Sequence, residues 1–148
     1  MVTAVGTDIM GRVTVAAMME NLEDTMLVER GDLTADHVRR LEVTDALVDT
    51  GATNLSLPAS LIRKLGLKLH RKRQSMTAAG PRELAVYNPV RLTIQDRDCV
   101  AEVTELPDGC PVLIGQLPLE AMDWVVDTKG QRLIGNPAHG GQWTIEQY

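Results

Sequence analysis

The chain is predicted to be an all-β domain, and three observations carry that reading. Apolar and polar residues alternate in many short runs, Gly, Pro, Asp and Asn interrupt the runs at short intervals, and only two stretches carry helical spacing. Alternation with a period of two lets a strand bury one face and wet the other, which suits a barrel or a sandwich. A length of 148 residues with 44% hydrophobic content fits one domain with a substantial core.

The elements follow in order. Arg12 to Ala17 is the first alternating run, and Val38 to Val48 is the second, with Leu41, Val43 and Leu47 as inward candidates. Pro58 lies near the start of a short helix whose apolar positions are Leu61, Ile62 and Leu65, and Gly66 is placed to cap its C-terminus. The run His70, Arg71, Lys72, Arg73 is the one dense basic stretch and is expected to be a solvated strand or loop. Val90, Leu92 and Ile94 give the clearest alternation. Asp96, Arg97 and Asp98 then read as a polar turn leading into Cys99 to Val103, which together predict a hairpin. Pro107, Asp108 and Gly109 form another turn, because Pro presets its φ and Gly accepts a positive one.

Val112, Leu113, Ile114 and Gly115 make an apolar strand that ends on glycine, followed by a second short helix from near Pro118 to about Met122. Trp124, Val125 and Val126 read as a buried strand, with Asp127 to Gly130 as its turn. The tail from Asn136, with Pro137, Gly140 and Gly141, lacks periodicity and is expected to be an extended arm. The organisation predicted is an N-terminal extension over 1–11, a folded domain over 12–136 and a C-terminal arm over 137–148.

Composition narrows the partners. A net charge of -5 argues against a nucleic-acid binder, which needs surplus Lys and Arg on one face. No apolar run approaches the roughly 20 residues of a membrane-spanning helix. Two cysteines with no basic-then-apolar leader support neither a disulfide framework nor secretion, so a cytoplasmic location is the default expectation. His37, His70 and His139 are expected at the surface, and they fall in no metal-ligand spacing with the cysteines. Neither metal nor cofactor is expected.

The stretch Ala46-Leu47-Val48-Asp49-Thr50-Gly51-Ala52-Thr53 places a carboxylate directly after three apolar residues. Low dielectric disfavours its charged form unless donors or a partner compensate. Thr50 offers a hydroxyl, and Gly51 permits a sharp turn and close approach of another chain. Read alone, Asp-Thr-Gly also fits a plain strand-end turn. The later strand Val112 to Gly115 and the helix after it change that balance. Together these segments resemble the retropepsin-like aspartic proteases, which carry an apolar stretch ending in Asp-Thr/Ser-Gly-Ala, a mid-chain flap hairpin, and an apolar-apolar-Gly strand followed by a helix. The resemblance runs from about Arg12 to about Asn136, and the chain closely resembles bacterial members of the family.

That resemblance implies a closed β-barrel with one or two short helices, and an endopeptidase that works as a homodimer on peptide or protein substrates. Asp49 resembles the catalytic aspartate; Thr50 would bond across the dimer axis, and Gly51 would offer its carbonyl to substrate. Ala52 and Thr53 would line the cleft floor, Ile114 and Gly115 would pack against the catalytic loop within the substrate-binding set, and Ala78, Ala79 and Gly80 would form the flap tip between Arg73 and Val86. The chain departs from viral members at Thr53, where they carry a second acid, and at Gln116, where they tend to carry Arg. Val125-Val126-Asp127-Thr128 partly repeats the catalytic stretch, but Lys129 stands where glycine is needed, so Asp127 is expected to start a turn. Two other readings compete: a non-catalytic dimerisation or peptide-binding module on the same fold, and a structural barrel with no peptide cleft.

Overall fold

The computed structural model describes residues 12–144. The N-terminal extension expected over 1–11 lies outside the described residues, as do residues 145–148 of the expected arm. Along the described chain run β1 (Val13–Asn21), α1 (Leu22–Glu29), β2 (Arg40–Val48), β3 (Leu55–Pro58), α2 (Ala59–Lys64), β4 (Leu69–Thr77) and β5 (Gly80–Ile94). They are followed by β6 (Arg97–Leu106), β7 (Leu113–Ile114), α3 (Gln116–Ala121), β8 (Trp124–Asp127) and β9 (Arg132–Gly135). The protein is mostly β, as its alternation predicts.

Seven strands form one sheet in the order β1-β2-β7-β3-β6-β5-β4, and β1 also pairs with β5. Six of them therefore complete a ring of hydrogen-bonded strands, with β4 attached outside it to β5. Strand β5 serves both parts because it is long: its first half, Gly80 to Tyr87, pairs with β4, and Val90 to Thr93 pairs with β1. The pairing of β5 with β6 shifts register between Tyr87 and Val90, and Pro89, which has no N–H to give a ladder, falls in that gap. Strands β8 and β9 make a separate two-stranded sheet.

The core lies inside the ring. Met19, Leu55, Leu57, Leu92, Ile94, Val103 and Ile114 are fully buried there, joined by Ile62 and Leu65 of the α2 segment and Leu119 of α3. Burial of each such side chain contributes roughly 1.5–3 kcal/mol. Truncating Leu55, on the strand between β6 and β7, would cost about 2–5 kcal/mol through the cavity left behind.

The described residues correct several expectations. Leu47 does not point inward. Between Val15↔Ala46 and Ala17↔Val43, β2 uses one residue more than β1, a bulge that breaks the period of two. The partners of the inward β1 residues are therefore Leu41, Val43, Ala46 and Val48, while Leu47 faces Thr14. Helix α1 is absent from the expected elements because its apolar spacing is weak and its one fully buried side chain is Asp24. Its start is marked instead by Asn21, whose side chain accepts from the Asp24 N–H at 3.1 Å, and by acidic residues in the first turn.

Arg97 is not a turn residue. The turn is Gln95 and Asp96, with Gln95 at φ 56°, and Arg97 is a buried residue of β6. Its guanidinium stacks 4.0 Å from the Trp124 ring centroid and donates to the carbonyls of Met122, Asp123 and Gly141. The Gly141 contact ties down the tail, which forms a short 3-10 turn over Pro137–His139 where an extended arm was expected. His139 is half-buried rather than superficial, 2.7 Å from Asp123. Asp123 in turn accepts from Asn136 and from the Thr144 N–H, and the His139 contact is the foremost reason its carboxyl sits below the usual range. Within β8, Val125 is exposed although Trp124 is buried.

Candidate active site

Asp49 is placed by strand pairing. Strand β7 runs parallel to β2, with Leu47↔Leu113 and Val48↔Ile114, and antiparallel to β3, with Leu55↔Ile114. The two strands joined by the Asp49 loop are thus held apart by a third strand between them. The Leu47 N–H donates to the Val112 carbonyl at 2.8 Å and the Asp49 N–H to the Ile114 carbonyl at 2.9 Å, so the ladder continues onto the aspartate itself. Beyond it the chain turns. The Ala52 N–H donates to the Asp49 carbonyl at 3.0 Å, and the Gly51 N–H to Asp49 Oδ1 at 3.0 Å. A Cβ on Gly51 would stand 3.3 Å from that same oxygen, so glycine leaves the carboxylate uncrowded.

The rest of the loop is held by α3. The first N–H groups of a helix have no partner within it. Here the loop supplies acceptors: Gly115, Gln116 and Leu117 donate to the carbonyls of Asn54, Ala52 and Thr53 at 3.0, 2.9 and 3.0 Å. Gly115, the N-cap residue, is buried against this backbone. Ile114 is fully buried in the core, so Ile114 and Gly115 support the loop from behind, and neither is among the residues lining the cavity in front of it.

In front of the loop lies a cavity of about 380 Å³. Gly51, Ala52 and Thr53 form one side of it, with Asn54 and Ser56 behind them. The other side is the β4–β5 hairpin, contributing Arg73, Gln74, Ser75, Leu84 and Val86. The hairpin turns at Ala78 and Ala79. Gly80 follows at φ +109°, where an L side chain is strained, and the Thr77 hydroxyl donates to the Gly80 carbonyl at 2.7 Å. Ala78, Ala79 and Gly80 thus sit at a hairpin tip, away from the cavity lining. Asp49 is half-buried and Thr50 exposed.

Asp127 is engaged locally. Its carboxylate accepts from the Gly130 N–H at 3.2 Å and meets Arg132 at 3.4 Å, and the Gly130 bond first of all holds its pKa below the usual range. It is a turn residue of the β8–β9 hairpin, as Lys129 in place of glycine suggests.

Arg73, expected only within a solvated basic run and at the start of the flap hairpin, lines the cavity. The available signal was the period of two, which puts Arg71 and Arg73 of β4 on one face and His70 and Lys72 on the other. Among the described residues no group of three or more His, Cys, Asp or Glu could hold a metal ion, and no helix is long and apolar enough to cross a membrane.

A family described as Aspartyl protease matches residues 38–117, which spans β2, the Asp49 loop, the hairpin, β7 and the start of α3. The match covers more than half of the chain, and the chain belongs to the aspartyl protease family, the family its retropepsin-like motifs resemble. No curated protein matches it.

Proposed function

We propose that the chain is an aspartic endopeptidase whose catalytic pair is completed by a second copy, each chain contributing Asp49. The observation that supports this most directly is the Asp49-Thr50-Gly51 turn, partly open to solvent at the end of a rigid strand pair and next to a cavity walled by a hairpin. A single chain supplies one such turn, since Asp127 is committed to Gly130 and Arg132. A twofold axis beside Asp49 brings two carboxyls to one site.

Two carboxyls at close range cannot both ionise, so they share a proton and titrate as a pair, as aspartic proteases do. The ionised member takes a proton from a water held between them. The protonated member donates to the carbonyl oxygen of the scissile peptide as the water attacks, and the leaving nitrogen is then protonated. Thr50 bonds across the axis beneath the pair, and Gly51 presents its carbonyl to the substrate backbone. Ala52 and Thr53 form the floor, and the hairpin with Ala78, Ala79 and Gly80 at its tip acts as a mobile flap over the bound peptide.

On this reading the ring of strands is a closed retropepsin-type barrel over residues 12–136, with 1–11 as an extension and 137–148 as an arm. The proposed setting is the cytoplasm, where thiols such as Cys99 and Cys110 stay reduced. The test is peptide cleavage by the wild type and by Asp49→Asn, read by mass spectrometry on a peptide library. Cleavage by the wild type that the variant loses is the expected result. Undiminished turnover by the variant would remove Asp49 from the mechanism.

A further inference from the structure

The hairpin wall of the cavity carries a cation that no described residue answers. Arg71 stands opposite Val86 and Arg73 opposite Leu84, and directly opposed residues of an antiparallel pair share a face. That face is turned to the cavity, because Arg73, Leu84 and Val86 all line it. Arg82, opposite Ser75 on the same face, is a second cation with no side-chain partner among the described residues, but it lies outside the cavity lining. The other neighbouring charges are taken. Arg71 pairs with Glu102 through two bonds of 2.8 Å, Lys72 lies 3.6 Å from Glu83 on the other face, and Glu105 of β6 accepts the Tyr87 hydroxyl at 2.6 Å. The Arg73 side chain makes no hydrogen bond or ion pair with any described residue. It is also the one charged side chain among the residues lining this cavity, the others being apolar or neutral.

A guanidinium in that position has a specific complement. Its planar fork matches a carboxylate in two parallel charge-assisted bonds, and although Arg73 is exposed, the apolar Leu84 and Val86 line the same cavity beside it. No acid within the cavity lining competes for it or repels an incoming anion. In a chain with a net charge of -5, positive charge on this hairpin face, with Arg73 in the cavity and Arg82 beside it, also steers anionic ligands there. We propose that Arg73 is a specificity residue that selects peptides with an acidic side chain flanking the scissile bond. The inference rests on the endopeptidase reading for its reaction, and on the cavity alone for its binding.

The probe is a series of synthetic peptides with one fixed apolar centre, each made with Glu, Gln or Lys at one flanking position. Affinity is read on Asp49→Asn protein, and hydrolysis on the wild type. At one flanking position the Glu peptide is expected to bind and be cleaved roughly tenfold better than the Gln peptide. That ratio should fall toward one in Arg73→Gln, turn in favour of Lys in Arg73→Glu, and shrink at high salt in the unaltered chain. Equal affinities for the Glu and Gln peptides at every position would overturn the inference while leaving the protease reading intact, and so would a Glu preference that survives Arg73→Gln. Selective binding of the Glu peptide by a wild type that hydrolyses none of the series would uphold the inference and overturn the protease reading instead.

Discussion

The N–H of Gly115 donates to the carbonyl of Asn54 at 3.0 Å, and a Cβ on Gly115 would overlap that same oxygen and come within 2.7 Å of the Thr53 carbonyl carbon. Both obstacles are backbone, which cannot swing aside as a flexible side chain can. The absent side chain at 115 is therefore a condition for the loop that carries Asp49 to rest on the start of α3.

Gly115→Ala is accordingly expected to displace residues 52–54. Overpacking of this kind costs about 1–3 kcal/mol, which for a chain of this size lowers the melting temperature by several degrees. The cleavage rate should fall much further than the loss of folded protein accounts for, because catalytic geometry is sensitive to shifts of about 1 Å. Melting and steady-state cleavage of the same preparation check this. Near-normal activity in a destabilised protein would mean that the loop position does not set the geometry of Asp49.

A second prediction concerns acid. Asp24 is buried on α1 and accepts from the Arg39 side chain at 2.8 and 2.9 Å and from the Arg39 N–H at 2.9 Å. The side-chain bond to Arg39 is the main cause that holds its pKa below the ordinary value, against the opposing effect of burial. A depressed folded-state pKa contributes stability above the unfolded value, near pH 4, and that contribution is lost as pH falls toward the folded value. Asp24→Asn should cost about 2 kcal/mol at neutral pH. The gap between variant and wild type should narrow below about pH 4, as the wild type loses what the variant already lacks. Melting curves from neutral to strongly acid pH measure it, and a gap that stays constant would contradict this linkage.

How much of this was legible beforehand depends on where local pattern and tertiary contact agree. The α2 segment was readable because Pro58, the spacing of Leu61, Ile62 and Leu65, and Gly66 at φ +65° all say the same thing. The Asp49 turn and Val112 to Gly115 were readable as motifs, but that three carbonyls of one cap the helix after the other was not, since that contact spans about sixty residues of chain. Leu47 was misread because a bulge leaves no mark in an alternating apolar run. Arg97 looked like a turn residue because Asp96 and Asp98 flank it. Its burial depends on Trp124 and the tail carbonyls, which no local window contains.

The hairpin tip gives a prediction that separates motion from stability. Gly80 has φ +109°, and a Cβ there would meet nothing within 4 Å, so a substitution is opposed by backbone strain alone. Gly80→Val should cost about 1–3 kcal/mol locally, at an exposed tip whose unravelling leaves the core packed. Turnover should drop severalfold while the melting temperature moves little. Equal proportional losses in both would count against a flap at this tip.

The last prediction follows from there being one Asp49 per chain. If the catalytic pair exists only between two copies, activity per chain must fall on dilution below the dimer dissociation constant, because assembly obeys mass action. The pH dependence should be bell-shaped, since turnover needs one carboxyl ionised and the other protonated, and activity should fade toward high pH as the shared proton leaves. Adding excess Asp49→Asn chains gives a sharper test. Subunit exchange then converts active pairs into heterodimers holding one carboxyl and one amide, which cannot divide the roles of acid and base. The variant should inhibit the wild type with the time course of exchange and in proportion to its excess, whereas an unrelated protein at the same concentration should not. Constant activity per chain across the dilution series, together with no inhibition after prolonged mixing, would place both catalytic groups within one chain and require a carboxyl other than the partner's Asp49.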